Sequence, residues 1–418
     1  MKIGLLSQWY DPEPGPAALP AIYGREMVRQ GHQVRALTGF PNYPDGKVHE
    51  GYRIRRKARE RRDGVDVHRV ALYPQHSRSA VGRVLNYASF AASAAVSGAS
   101  ALKGADAVWV YNSPVTVALP LLLHTRRGHV PYFLHVQDLW PDSLIASGMV
   151  PEGWVGDRAA AMIRRIVRLT ERKATTVGVI SPGVRELILE RHPRLDPEKI
   201  VYAPNPTNEQ LFQPAADIRR QLGIGTREDE TVDFMYAGAI GDVQGLDTVL
   251  DAAALLRDRP EIRISIYGDG ISRERLERRA VDERLDNVRF LGRVDQAEIP
   301  NLIAESQVQL VSLASSPFLR FTTPSKIPSL LSSGVPIVAQ IGGDGADLIR
   351  ASGAGFVVEP GDPASLAGAI ERMAMSGPEQ WHAFGESGRR YYSSHLSVAS
   401  TTRIILDSLG APQPPIQD

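Results

Sequence analysis

The sequence predicts an α/β protein of two Rossmann-like domains that face each other across a cleft, with the last helices crossing back to the first domain. Short apolar runs alternate with helix-period segments along the chain, which is the pattern of parallel sheets covered by helices. The pattern starts twice, at residues 2–6 and again at 232–236, each time as a strand entering a polar, glycine-containing loop. The length of 418 residues is too long for one ordinary domain and comfortable for two.

In the first half, residues 2–6 read as the first strand. The loop 7–20 after it carries Asp11, Glu13, Gly15 and several prolines. Residues 22–30 read as a helix ended by Gly31, and 33–37 as the second strand. Further strands are expected at 107–111, 132–136 and 177–180. Each is followed by a Ser, Asn, Asp or Gly loop at its carboxyl end, the side on which such sheets place ligands. Residues 53–62 (RIRRKARERR) form the densest charge run. They read first as a solvated loop or exposed strand pair, and second as a patch for acidic lipid headgroups. Residues 83–103 read as a core helix before a membrane-docking one. At 135–142 (HVQDLWPD) a strand ends and a loop opens. His135 and Gln137 share one side by period two, and Asp138 sits at the tip, where an active-site carboxylate belongs. The alternative for Asp138 is to cap the next helix or hold Trp140.

Residues 196–206 end the first sheet, and 207–230 read as a polar linker with a short helix. The expected domains are therefore 1–206 and 207–385, with 386–418 packing back on the first. Residues 232–236 run into Gly238-Ala239-Ile240-Gly241 and on to Gln244-Gly245, followed by a helix from 246. The N–H groups of this turn can cradle a pyrophosphate. The spacing is not G-x-G-x-x-G, so a dinucleotide site is not specifically indicated. Strands at 262–267 and 287–291 lead into Gly268-Asp269-Gly270 and Gly292-Arg293.

Residues 318–348 combine a polar loop, a helix, a turn, a strand and a glycine-rich loop. Ile327, Leu330 and Leu331 have the spacing of a buried helix face. Thr322, Thr323, Pro324 and Ser325 precede it and mark the helix N-terminus, with a hydroxyl as the expected cap. Lys326 adds a full charge to the helix dipole, which makes a phosphate site. The plain alternative is an ordinary helix-turn-strand unit.

Composition bounds the rest. The net charge of +1 does not point to nucleic acid, and the absence of cysteine excludes disulfides and thiolate metal sites. No stretch approaches the roughly 20 apolar residues of a membrane span. A cytoplasmic protein is expected, with peripheral contact at the inner face of the cell membrane if the basic run binds lipid. The oligomeric state is not legible.

The order and wording of several phrases resemble the GT-B glycosyltransferases of the large retaining group called family 4. They are Gly31-His32-Gln33-Val34, Ser181-Pro182-Gly183-Val184, Pro204-Asn205, Tyr236-Ala237-Gly238, Tyr267-Gly268-Asp269-Gly270, Asn287 to Gly292, and Pro324-Ser325-Lys326 through Gly334-Val335-Pro336-Ile337-Val338. Phe40 to Pro44, Asp138 to Pro141 and Gly241 to Leu246 resemble the branch that builds bacterial surface polysaccharides, similar to N-acetyl-fucosamine transferases.

The resemblance implies a metal-independent, cofactor-free hexosyltransferase that uses a nucleotide-diphosphate sugar, with UDP favoured. The acceptor would be a sugar, a lipid-linked sugar or a small molecule. It implies that Gly15 lies in a loop closing over the diphosphate, and that Gly268 and Gly292-Arg293-Val294 meet the base and ribose. The family's two glutamates fall at Phe321 (donor sugar, with Thr322 and Thr323) and Ser329 (ribose). Its Arg and Lys for the diphosphate fall at Ala239 and Gln244. The diphosphate is therefore expected on N–H groups from Gly238 through Ile240 to Gly241, with Gln244, Lys326 and Arg320. Asp138, with His135, is the candidate for orienting sugar or acceptor. A nucleotide-sugar epimerase, a secondary-metabolite glycosyltransferase and a non-catalytic partner are the alternatives.

Overall fold

A computed structural model of the chain describes residues 1–75, 80–126, 130–146, 153–223, 231–316 and 319–411. They divide into two compact units, Met1–Pro204 with the segment from Val398 onward, and Asn205–Ser397.

The first unit is built on an eight-stranded sheet. Its strands are β1 (Lys2–Leu6), β2 (Gln33–Gly39), β3 (Lys57–Arg62), β4 (Val65–Val70), β5 (Ala107–Asn112), β6 (Tyr132–Val136), β7 (Thr176–Val179) and β8 (Ile200–Tyr202). They lie in the order β3-β4-β2-β1-β5-β6-β7-β8. All neighbours are parallel except β3 on β4. The central strands β5 and β6 are buried throughout, as expected where helices cover both faces. The basic run 53–62 ends in edge strand β3, whose residues alternate between exposed and half-buried. This is the exposed-strand-pair reading of that run. Two of its charges are met locally: Arg59 donates to Asp66 at 3.3 Å, and Glu60 accepts from the buried Arg69 at 2.8 Å. The helix expected at 83–103 is Ala80–Ser97, followed after Gly98 by the single turn Ala99–Leu102; Phe90 and Ala94 carry it into the core.

The second unit has six parallel strands. They are β9 (Val232–Ala237), β10 (Ile262–Tyr267), β11 (Val288–Gly292), β12 (Val308–Ser312), β13 (Ile337–Gln340) and β14 (Gly355–Val358), in the order β11-β10-β9-β12-β13-β14. Strand β14 was not legible because it is four residues long and begins at a glycine. A Cβ on Gly355 would lie 1.9 Å from the Ile337 carbonyl oxygen, so only glycine lets this edge approach β13. The linker helix is Ala215–Leu222; residues 224–230 of the expected linker, and 317–318 of the polar loop, lie outside the described residues.

Residues 386–397 belong with the second unit rather than with a crossing-back segment. The helical segment Pro363–Tyr391, broken at Gly377, continues into the turn Tyr392–Leu396, which buries Tyr392 and Leu396. The Tyr392 hydroxyl accepts the Thr207 N–H at 3.2 Å and donates to Glu209 at 2.9 Å. Only the helix Val398–Ser408 returns to the first unit, where it packs on the helix Leu19–Arg29.

Strand order reverses between β1 and β5 in the first unit and between β9 and β12 in the second. In open parallel sheets, the carboxyl ends at such a reversal leave a crevice for ligands.

Candidate active site

In the second unit, three glycines meet where β9, β10 and β11 end. The Gly238 N–H donates to the Tyr267 carbonyl at 3.0 Å, and the Gly268 N–H to the Gly292 carbonyl at 2.8 Å. The turns touch backbone to backbone: a Cβ on Gly268, at φ +142°, would lie 1.8 Å from the Gly238 carbonyl oxygen. Gly268→Ala should therefore lower unfolding free energy by about 3 kcal/mol, read by urea denaturation. A change within error would mean that the turns separate freely.

This packing corrects one expectation. The N–H groups of Gly238, Ile240 and Gly241 are not free to cradle a diphosphate. Ile240 donates to the Asp269 carbonyl at 2.9 Å, and Gly241 donates to the Gln244 side-chain oxygen at 3.0 Å. The Gln244 side-chain oxygen thus closes the turn. Asp269 accepts the Gly270 N–H at 2.9 Å, as a turn residue does.

Lys326 opens the helix Lys326–Ser333 in the crossover from β12 to β13, beside the β9/β12 reversal. Its ammonium lies 3.8 Å from the centre of the Tyr236 ring, and a Cβ on Gly238 would sit 2.9 Å from it. Tyr236 is fully buried and donates its hydroxyl to the Ala239 carbonyl at 2.7 Å, so one side chain supports both the lysine and the turn. No carboxylate pairs with Lys326 among the described residues. Burial lowers its pKa to about 7. Lys326 is half-buried, so its ammonium is held over the Tyr236 ring and can still meet an anion from solvent. The helix lacks the expected hydroxyl cap: Ser325 stands at the N-cap without a side-chain bond.

Arg320 is exposed, and its guanidinium lies 5.5 Å from the Phe321 ring in the turn Leu319–Phe321, against which Gly343 packs. Thr322 and Thr323 are half-buried beside it. Arg293 is exposed and Val294 half-buried after β11. Ser329 does not present its hydroxyl to a ribose. It is buried, 2.7 Å from the Thr207 hydroxyl, and donates to the Ser325 carbonyl at 3.3 Å.

In the first unit, Asp138 follows β6. It accepts the Ser113 hydroxyl at 2.7 Å, and Ser113 follows β5. Burial pushes the Asp138 carboxyl up, opposed by the Ser113 hydroxyl. Asp138 faces a cavity of about 200 Å³ that Asn112, Trp140, Glu171, Arg191 and His192 also line. Arg191 forms an ion pair with Asp142 at 2.5 Å, and His192 Nδ1 lies 2.8 Å from Glu171. His135 is a core residue and not part of this site. It is fully buried among Tyr23, Trp109 and Phe133, with Nε2 2.8 Å from the Ala203 carbonyl. Burial lowers its pKa to about 4, so the ring stays neutral. Gly15, at φ +63°, begins a one-turn helix after β1 with open space around its Cα.

Family models match both units. "Glycosyl transferase 4-like domain" matches residues 21–206, and "Glycosyl transferases group 1" matches 231–376. The chain is a GT-B glycosyltransferase.

Among curated relatives, the glycosyltransferase is 29% identical over 346 residues to the putative colanic acid biosynthesis glycosyl transferase WcaI of Escherichia coli, covering 80% of this chain and 82% of the relative. It is 24% identical over 245 residues to the probable glycosyltransferase WbjE of Pseudomonas aeruginosa, covering 58% and 59%. Among solved structures, HepE of Anabaena in complex with UDP and glucose superposes with a TM-score of 0.65 at 18% identity, over 99% of this chain and 100% of that one.

Some residues that shape the glycosyltransferase's sites carried little signal in the sequence. Glu13 is buried, and its carboxylate accepts the N–H groups of Tyr10, Asn42 and Tyr43 at 3.1, 2.8 and 3.0 Å. It thereby ties the loop after β1 to the loop after β2. An acid in a proline-rich loop hints at such a role, but Asn42 and Tyr43, the partners it ties in, lie about thirty residues away. Tyr236 was visible as part of a family phrase, and its place under Lys326 was not.

Proposed function

We propose that the protein transfers a sugar from a nucleotide-diphosphate sugar, UDP favoured, to a hydroxyl acceptor during assembly of a surface polysaccharide. Transfer retains the anomeric configuration and uses no catalytic metal. The observation that carries this reading is the half-buried Lys326 ammonium, beside Gly238 at the strand-order reversal of the second unit and with no carboxylate partner among the described residues. The colanic acid biosynthesis named for WcaI supports the pathway class, and the UDP held by HepE supports the donor.

Sugar transfer breaks the bond from the anomeric carbon to the leaving phosphate oxygen and forms one to the acceptor oxygen. Negative charge grows on the diphosphate, and a preorganised ammonium stabilises it there. The acceptor hydroxyl attacks from the leaving-group side, and the departing phosphate takes its proton. Asp138, steadied by Ser113, orients the acceptor or the donor sugar.

Thermal unfolding against UDP, GDP, dTDP, ADP and CDP tests the donor. A ligand at about 100 times its Kd adds about 2.7 kcal/mol, which is several degrees for domains of this size. A rise with UDP above the others is expected. No rise with any nucleotide would sink the transferase reading in favour of a non-catalytic partner. A sugar nucleotide converted to its epimer without acceptor would indicate an isomerase.

A further inference from the structure

The helix Trp154–Lys173 of the first unit carries an outer face that no part of the described chain covers. At about 100° per residue, Trp154, Arg158, Met162, Arg165, Leu169 and Arg172 fall in one stripe along it. Trp154 is 71% exposed and Met162 61%; Val155 beside them is 51% exposed. The three arginines of the stripe are exposed as well, and the Arg158 guanidinium lies 5.6 Å from the Trp154 ring. No carboxylate lies in the stripe. Glu171 is turned inward and buried, and Asp157 lies to one side. The neighbouring helix Ala118–Arg126 packs against this one and exposes Leu119 and Leu123.

Large apolar side chains left in water beside unpaired cations are costly on a solvated face. The combination suits one environment. An anionic bilayer takes the apolar side chains and the indole into its interface, while the arginines meet headgroup phosphates. We propose that this face, and not the basic edge strand β3, docks the protein on an anionic membrane surface. The protein's charge is nearly balanced, at +1, so the local concentration of arginine and not net charge would drive contact. The inference goes beyond the transfer reading and does not depend on the donor site.

The test is co-sedimentation of the full chain with vesicles of equimolar phosphatidylglycerol and phosphatidylcholine, against vesicles of phosphatidylcholine alone. Binding is expected to the first and not the second, weakening as salt is raised. Reversing three charges with Arg158→Glu, Arg165→Glu and Arg172→Glu should lower the partition coefficient about a hundredfold. Trp154→Ala should lower it about tenfold. Trp154→Phe should bind but lose the blue shift of tryptophan emission seen with wild type. Circular dichroism melting verifies that each variant is folded. The basic-run variant Arg55→Glu, Arg56→Glu, Lys57→Glu, at the start of edge strand β3, makes the same charge change elsewhere and should bind as wild type. Equal binding to both vesicle types, pelleting without vesicles through self-association, or an equal loss in the basic-run variant would each overturn the proposal.

Discussion

Replacing Lys326 with alanine is expected to weaken nucleoside-diphosphate binding by about tenfold or more, the loss of one charge-assisted contact. Calorimetric titration with UDP gives the affinity directly. The pH dependence makes the expectation sharper. Burial holds the ammonium at a pKa of about 7, so at neutral pH the empty site is partly deprotonated. A diphosphate favours the charged form and raises that pKa. Affinity should therefore fall as pH rises above about 7, by up to about tenfold per unit. The nucleotide's own phosphate titrates near about 6, so Lys326→Ala at the same pH is the reference, and its slope above neutrality should be flat. Lys326→Arg should remain charged and also lose the slope. The same shift has a stability consequence. The folded lysine has a lowered pKa, so between about 7 and about 10.4 the unfolded chain binds more protons, and this group makes stability rise with pH through that window. An unchanged UDP affinity in Lys326→Ala, or an unchanged slope, would remove Lys326 from the site.

Asp138→Asn should lower turnover by about a hundredfold and leave UDP affinity intact. The substitution preserves shape and the acceptor oxygen for Ser113, so it removes charge and little else. Asp138 belongs to the first unit and Lys326 to the second, which makes the two readouts separable. Release of nucleoside diphosphate with acceptor in excess reports turnover, and the titration used for Lys326 reports affinity. Full turnover in Asp138→Asn would make the carboxylate a structural partner of Ser113. A joint loss of turnover and stability would say the same, because a buried acid that only holds two loops together should reveal itself in unfolding.

Strand periodicity, glycine punctuation and the second start at residue 232 made most strands of both sheets legible, because they are local properties of the chain; β4 (Val65–Val70) was missed. Edge strand β14 and the fate of residues 386–397 were not legible, because both depend on what the segment meets in space. The sites divide in the same way. Lys326 and Asp138 stand at a helix start and a strand tip, positions that spacing alone exposes. The sequence could not tell that the N–H groups of Gly238, Ile240 and Gly241 are taken by Tyr267, Asp269 and Gln244, since hydrogen-bond partners are set by tertiary packing. His135 misled for a related reason. Two residues from Asp138 on a strand, it shares the neighbourhood in sequence, yet the pleat and the rings of Tyr23 and Trp109 put it in the core.

The first unit is completed by the helix Val398–Ser408, which fills a place beside the helix Leu19–Arg29 with Ile405, Leu406 and Leu409. On the ribosome, the early sheet therefore emerges with a vacant apolar slot that stays open while the whole second unit is synthesised. The second unit, contiguous from Asn205 to Ser397, needs nothing from either end to close its core. Order of synthesis and order of completion are thus inverted: the half made first is finished last. A nascent chain halted before residue 398 would carry a finished second half and a sticky first one, the form that a chaperone would have to shield.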